Sequence, residues 1–435
     1  MTIEDDPPAD AVHRTIDAVW KIECAKLMAT LTRICGDVGT AEDLGQDALV
    51  AALEQWPVSG VPDKPGAWLL ATAKNRAIDL LRRRRIARRV EAELGAEFDA
   101  RQRAVDDLDH RLDEAVGDDV LRLIFVACHP LLTTDARAAL TLRVIGGLTT
   151  GEIARAFLSS EPTIAQRIVR AKRTLADAQV PFEVPRGVQL EERLPSVLEV
   201  LYLIFNEGYA ATAGEHWVRQ DLCDEGLRLA RILAELMPGE PEVLGLAALL
   251  ELQASRLRAR SDHRGQPILL LDQDRSRWDR LLIHRGLAAL ERAEALGRPR
   301  GSYVLQAEIA ACHARATVAD ATDWMRIATL YAALATVTPS PVVELNRAVA
   351  VAMALGPEAG LLLADRLTAE PSLAGYHHLP SVRGDLLAKL GRAQEAQLEF
   401  ERAAALTHNA CERALLLERA AQCAASRRPA GPPDA

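Results

Sequence analysis

The chain has 435 residues, 49% of them hydrophobic and 26% charged, which suits a globular protein of about three domains and excludes overall disorder. A formal net charge of -9 excludes a whole-protein basic field for gripping nucleic acid, so any such surface must be local. Seven scattered cysteines without a C-x-x-C pair argue against structural zinc or a disulfide framework. An acidic start, M-T-I-E-D-D, and an apolar run from Ala348 to Ala364 broken by Gly356, Pro357 and Glu358 argue against secretion and membrane insertion, so the expected compartment is the cytoplasm.

Alanine and leucine dominate, apolar residues recur at three and four, and no convincing strand alternation or hairpin dipeptide occurs. The expected fold class is all-α. Residues 1–11 read as a disordered start. The first informative helix is A-E-D-L-G-Q-D-A-L-V-A-A-L-E-Q-W, residues 41–56, with Leu44, Ala48, Ala52 and Trp56 along one side. Asp43, Gln46 and Asp47 cluster on its exposed side. They suit a basic partner surface or simple solubility, and without histidine, nucleophile or metal ligand nearby they do not read as catalytic.

After a short loop, Pro57 to Pro65, comes P-G-A-W-L-L-A-T-A-K-N-R-A-I-D-L-L-R-R-R-R-I-A-R-R. Leu69, Leu70, Ala73, Ala77, Leu80 and Leu81 form a core stripe at helical spacing. A second face carries Trp68, Thr72, Asn75, Arg76, Asp79, Arg82 and Arg83. Guanidinium forks pair with phosphates and base edges, and an aromatic ring stacks on an exposed base, so this face suits nucleic acid. The basic run Arg82 to Arg85, with Arg88 and Arg89, is one local patch; Arg167, Arg170, Lys172 and Arg173 form another. Between them, about Arg88 to Asp119, the chain is charged, mostly acidic and poor in large apolar residues, as a mobile linker would be.

In L-T-T-G-E-I-A-R-A-F, Thr149 and Glu152 have the spacing of a reciprocal capping box. After a turn at Leu158 to Ser160 follows E-P-T-I-A-Q-R-I-V-R-A-K-R-T-L, where Pro162 is tolerated in a first helical turn. This spacing predicts a helix-turn-helix, although no glycine sits in the turn. Ile164, Ile168, Ala171 and Leu175 face its neighbours, which leaves Thr163, Gln166, Arg167 and Arg170 outward for base edges and Lys172 and Arg173 near phosphates. The two prolines of V-P-F-E-V-P-R-G, Val180 to Gly187, then begin a new block.

The order of parts resembles sigma factors of the sigma-70 family, of the compact extracytoplasmic-function type. The motifs that carry the likeness are A-E-D-L-x-Q-D-A-L, W-L-L-A-T-A-K-N-R-A-I-D-L-L-R-R and G-L-T-T-G-E-I-A-R-A-F, and it covers about Val12 to Ala178. The resemblance implies region 2 over 12–89, an acidic linker over 90–117 and a region 4 helix-turn-helix over 118–179. It also implies that Asp43, Leu44, Gln46 and Asp47 belong to the face that meets the clamp helices of core RNA polymerase. By the same likeness, the 57–65 loop with Trp68, Asn75, Arg76, Asp79, Arg82 and Arg83 reads and opens the -10 element. Thr163, Gln166, Arg167, Arg170, Lys172 and Arg173 then read the -35 element of promoter DNA.

Beyond Pro185 the family pattern stops and a long block follows, taken as a domain over 187–425 with a disordered tail over 426–435. Within it Y-H-H-L-P-S-V-R-G-D-L-L-A-K-L-G-R-A-Q-E-A-Q-L-E-F-E-R-A-A-A-L-T resembles a tetratricopeptide repeat, with Gly384, Ala396, Phe400 and Ala403 at its packing positions. Pro380, Leu387 and His408 depart from its signature. A weaker echo, P-V-V-E-L-N-R-A-V-A-V-A-M-A-L-G-P-E-A-G, precedes it. Such a solenoid offers a protein or peptide a concave surface.

Residues 269–279, L-L-L-D-Q-D-R-S-R-W-D, read as a capped turn between helices, because a metal loop would need more oxygen ligands and a glycine. His377 and His378 are adjacent, which on one helix points them apart and keeps them from serving a single site. Residues 202–209, Y-L-I-F-N-E-G-Y, read as a core helix and its C-terminal turn, with a ligand pocket as the alternative. The chain is expected to be a promoter-specificity subunit, neither an enzyme nor a binder of cofactor or metal. The competing readings are an operator-binding regulator with a tetratricopeptide sensor, which leaves the 41–56 and 65–89 helices unexplained, and a scaffold, which leaves the separated DNA-type surfaces as coincidence.

Overall fold

Helical periodicity sets the backbone of the described residues. The computed structural model describes residues 9–91, 116–157, 159–209, 218–262 and 267–425, without the side chains of 9–11, 84–91, 116–118 and 155–156. The expected disordered start, most of the acidic linker, the turn residue Leu158, the tail and the side chains of Arg84, Arg85, Arg88 and Arg89 fall outside the described residues. Among those residues there are α-helices, short 3-10 turns and one isolated antiparallel bridge, Ser261 to Pro267, and no strand. The chain divides into two units, Met1–Val200 and Leu201–Ala435.

The first unit holds α1 (Ala9–Cys35), α2 (Val38–Ser59), α3 (Pro65–Glu91), α4 (Val116–Ala127), α5 (Thr134–Val144), α6 (Thr150–Ala156), α7 (Glu161–Asp177) and the start of α8 (Val188–Tyr209). Ile16, Trp20, Cys24, Leu27, Met28 and Leu31 recur at helical spacing on α1 and are all buried, so α1 is the spine against which α2, α3 and α4 pack. Asp37 caps α2 by accepting from the Thr40 amide at 2.7 Å. The helix runs on through Pro57 to Ser59, so the expected loop shrinks to 60–64. Fully buried Trp56 anchors that last turn, and its carbonyl accepts from Gly60 N–H at 3.0 Å.

The α4 and α5 helices close onto the same spine, and α7 packs on α2, α5 and α6. Gly147, after α5, has a φ of +71°, and a Cβ there would stand 3.1 Å from Cys24 Cβ and 3.3 Å from the Trp20 ring. Only glycine satisfies both demands without strain. Its carbonyl accepts from Trp20 Nε1 at 3.1 Å, which ties the turn to α1.

The second unit contains the rest of α8 followed by α9 (Gln220–Leu236), α10 (Pro241–Ala254), α11 (Arg280–Ala295), α12 (Ser302–Arg315) and α13 (Trp324–Val337). It ends with α14 (Pro341–Leu355), α15 (Pro357–Arg366), α16 (His378–Lys389), α17 (Ala393–Leu406) and α18 (Ala410–Ala425). Every residue of α10 from Val243 to Leu252 is buried, and α9, α11 and α12 surround it. From α13 to α18 each helix packs on the next. Gly384 lets α16 approach α17, because a Cβ there would lie 2.9 Å from the Phe400 ring, and Ala396 and Ala403 are fully buried beside it.

Candidate polymerase and nucleic-acid interface

The face of α2 expected to meet a partner is split by burial. Asp43 and Asp47 are exposed and Gln46 is half-buried, whereas Leu44 retains only 7% of its surface and packs in the core. Its assignment to the partner face is corrected accordingly: it holds the helix, and the carboxylates beside it face water. Arg76 of α3 reaches Asp47 at 3.8 Å, so the acidic face of α2 and the basic face of α3 adjoin. Both side chains are largely exposed, and a pair of this kind contributes at most about 1 kcal/mol. It leaves both groups exchangeable for a partner.

On α3, Leu69, Ala73 and Ala77 are fully buried, while Leu70, Leu80 and Leu81 are half-buried at the margin. Asn75, Asp79, Arg82 and Arg83 are exposed, with Arg82 at 3.8 Å from Asp79. Trp68 differs from its reading as a free stacking platform. Its ring stands edge-on to buried Trp56, with centroids 5.4 Å apart, and covers the core while keeping part of its surface open.

The capping box forms as its spacing requires: Thr149 N–H donates to Glu152 Oε2 at 2.7 Å, and Glu152 N–H donates to Thr149 Oγ1 at 3.1 Å. Burial works to raise the Glu152 pKa, but the Thr149 amide and Lys21, at 3.1 Å, hold it below the ordinary value. Ser160 caps α7 by accepting from Thr163 N–H at 3.3 Å. Ile164, Ile168, Ala171 and Leu175 are buried, and Thr163, Gln166, Arg170 and Arg173 face solvent. Arg167 leans on Asp135 at 3.3 Å, and Arg173 on Asp177 at 3.5 Å. Val169 is 59% exposed beside Gln166 and Arg170, an apolar group on this face that has no polar signature in the sequence.

Lys172 is the departure from the expected phosphate contacts. It donates to Glu42 Oε2 at 2.8 Å, and Arg143 donates to Glu42 Oε1 at 2.6 Å. Glu42 is buried, and although burial pushes its pKa up, Lys172 and Arg143 together bring it below the ordinary carboxylate value. Sequence reading missed Glu42 because its partners lie 101 and 130 residues away. Arg33 adds a further link between α1 and α4, donating to nearly inaccessible Asp119 at 2.7 Å.

The start of α8 also belongs to this unit. Arg193 donates to the Phe125 carbonyl at 2.7 Å, Ser196 donates to the Cys128 carbonyl at 2.6 Å, and Arg137 contacts both Ser196 and Glu199, the latter at 3.2 Å. The chain therefore divides inside α8, some way past the proline-rich join at 180–187 where composition alone put the change.

Elsewhere, residues 269–279 form the capped turn expected of them. Asp274 accepts from the amide and hydroxyl of Ser276, and Asp279 accepts from the amides of Leu281 and Leu282. The adjacent histidines depart from their reading. His377 is the N-cap of α16 with helical backbone angles, yet the two rings lie 4.0 Å apart, and His377 Nε2 is 2.9 Å from Glu412. The donor atoms of His377, His378 and Glu412 converge within 4.8 Å of one another, and adjacency does not separate them. Among the described residues no helix is long and apolar enough to cross a membrane.

Residues 25–86 match the family Sigma-70 region 2, and residues 122–175 match Sigma-70, region 4. Residues 193–294 match a family of unknown function, DUF6596. An uncharacterized protein of Rhizobium meliloti (strain 1021), R00370, is 47% identical over 391 residues, which cover 89% of this chain and 91% of that protein. The ECF RNA polymerase sigma factor SigK of Mycobacterium ulcerans (strain Agy99) is 30% identical over 158 residues, 35% of this chain and 79% of SigK. The probable ECF RNA polymerase sigma factor SigI of Mycobacterium tuberculosis (strain ATCC 25618 / H37Rv) is 28% identical over 172 residues, 40% of this chain and 58% of SigI. No solved structure matches the chain.

Proposed function

The chain belongs, through its N-terminal part, to the extracytoplasmic-function sigma factors of the sigma-70 family, and from that premise we propose a division of labour among its surfaces. Sigma factors are not enzymes; they bind core RNA polymerase and promoter DNA. Asp43, Gln46 and Asp47 meet the polymerase. Asn75, Arg76, Asp79, Arg82 and Arg83, with Trp68 at the edge, read and open the -10 element. Thr163, Gln166, Arg167, Arg170 and Arg173 read the -35 element, and Val169 supplies an apolar contact suited to a thymine methyl.

The observation that carries this reading is the presence of two separate exposed guanidinium faces, on α3 and α7, in a chain whose net charge is negative. The Glu42 bridge adds a conformational requirement. The -10 and -35 labels place their elements about 25 base pairs apart, or about 85 Å at 3.4 Å per base pair. A compact unit of this size is roughly 40 Å across. With Lys172 on Glu42, α3 and α7 cannot serve both elements at once, so initiation requires this closed form to open.

The helical C-terminal region is proposed to be tetratricopeptide-like and to act in cis as a positive element. The tight α16 to α17 pair around Gly384 and Phe400 supports the first point. The second rests on the proline-stiffened join at 180–187, which has no Gly/Ser-rich spacer. Purified protein added to core polymerase is expected to start transcripts at a defined promoter while binding duplex DNA weakly by itself. Sequencing the transcripts checks this. Strong duplex binding without polymerase and no supported initiation would instead favour an operator-binding regulator.

A further inference from the structure

The second unit encloses a cavity of about 510 Å³, within the range that holds a small organic molecule. Its walls come from α8, α10, α12, α13 and α14 and mix apolar side chains such as Phe205, Leu250 and Val343 with polar ones such as Asn206 and Gln306, with Tyr202 and Tyr331 on the lining. Arg256 also lines it. This side chain is 9% exposed and donates to the Tyr209 hydroxyl at 2.7 Å and to Gln253. Arg275, 5% exposed, shares the Trp278 ring with it: the two guanidinium carbons lie 5.7 Å and 5.0 Å from the ring centroid.

No carboxylate among the described residues pairs with either arginine. Arg275 spends its Nη donors on neutral acceptors, the carbonyls of His313 and Ala316 and the Thr322 hydroxyl. His313 lines the same cavity, 7% exposed, and its Nδ1 is buried without a hydrogen-bond partner. Burial first, then Arg256 and Arg275, push its pKa down to about 3, which keeps the ring neutral. A buried cation without an anion costs several kcal/mol, and a buried polar atom without a partner adds to that. Arg256 and His313 line the same cavity.

We propose that this cavity binds a small aromatic carboxylate, its carboxylate on Arg256 with His313 Nδ1 as a further polar contact, and its ring among Tyr202, Tyr331 and the apolar part of the lining. A carboxylate supplies the missing anion in the planar form that a guanidinium fork accepts. The aromatic body follows from the ring-rich part of the lining, Tyr202, Phe205, Tyr303 and Tyr331, which an inorganic ion would leave unused. The inference is independent of the sigma-factor reading, because its readout is binding.

The test uses full-length protein with benzoate as the probe and benzamide as its neutral isostere, at constant ionic strength. Binding is followed by calorimetry, with the intrinsic fluorescence of the six tryptophans as a second signal. Benzoate is expected to saturate and to bind at least ten-fold more tightly than benzamide, and Arg256→Gln should remove that preference, since a hydrogen bond to a charged group corresponds to about ten- to hundred-fold in affinity. Arg256→Gln should also melt no lower than the parent without ligand, because it removes an unpaired buried charge. Asn206→Phe, which fills the cavity and leaves Arg256 in place, should abolish benzoate binding. Equal affinity for benzoate and benzamide, absence of saturable benzoate binding, or undiminished binding by either folded variant overturns the proposal.

Discussion

Lys172 of the recognition helix donates to Glu42 of α2 at 2.8 Å, with the lysine 19% and the glutamate 10% exposed at their side chains. One carboxylate thereby fastens the helix proposed to read DNA to the helix proposed to meet polymerase. With Arg143 on its second oxygen, Glu42 is saturated, and neutralising it leaves two cations without their anion in the closed form.

Glu42→Gln is therefore expected to weaken the closed arrangement by about 3 kcal/mol, the scale for breaking a largely buried pair. Fluorescence energy transfer between labels on α3 and α7 should report a longer mean distance in the variant. Acid should act in the same direction. The folded pKa of Glu42 is depressed, so its contribution is complete above the ordinary carboxylate value and is lost as pH falls through the folded one. An unchanged distance, in the variant and on acidification alike, would show that the bridge does not hold the closed form.

The two proposed DNA surfaces should fail in different ways. Gln166→Ala or Arg167→Ala is expected to relax base preference in the upstream element, with about 1 to 3 kcal/mol lost at the contacted pair. Asn75→Ala or Arg76→Ala should impair the downstream element, and a premelted template should restore part of the activity if strand opening is the step affected. Transcription from a library of promoter variants, duplex and premelted, separates these outcomes.

What the sequence disclosed was local. The Thr149 and Glu152 capping box and the Ile164, Ile168, Ala171, Leu175 stripe depend on residues within a few turns, and each took its expected form. Pairing across the chain was hidden, because nothing near Lys172 distinguishes a lysine bound for phosphate from one bound for Glu42. Leu44 and Trp68 illustrate a second limit: helical spacing gives a side, but the depth of each residue depends on neighbours such as Trp56. The histidine pair failed for a third reason. Helical adjacency sets the directions of the Cβ bonds, not where long side chains end, and the donor atoms of both rings converge with Glu412 of α18.

The second unit should be acid-sensitive through His313. Its folded pKa of about 3 lies well below the ordinary 6.5, so the unfolded chain takes up a proton first as pH falls. Stability contributed by the neutral ring is complete above 6.5 and is lost on acidification toward 3, at about 1.4 kcal/mol per pH unit. From pH 7 to pH 5 the loss from this residue should be about 2 kcal/mol. Urea unfolding of the parent and of His313→Asn at the two pH values checks it: the variant should lose less stability on acidification, and identical losses would reassign the effect.

The last expectation concerns what the C-terminal region does for the helix-turn-helix. Because Arg193, Ser196 and Glu199 contact α4 and α5, a chain ending after Arg186 removes part of the first unit, and one ending after Val200 keeps it. Comparing the two truncations separates support of the fold from action on transcription. The chain ending at Arg186 should be the less stable of the pair, since each lost hydrogen bond to a buried carbonyl costs about 1 to 3 kcal/mol. The chain ending at Val200 should fold and bind core polymerase as the full chain does, yet make fewer run-off transcripts, because the positive element is gone. The rival view is that the region covers a DNA surface until a signal arrives, and it requires the opposite change. Higher run-off activity from the folded Val200 truncation rejects a positive role, and activity equal to that of the full chain rejects both views.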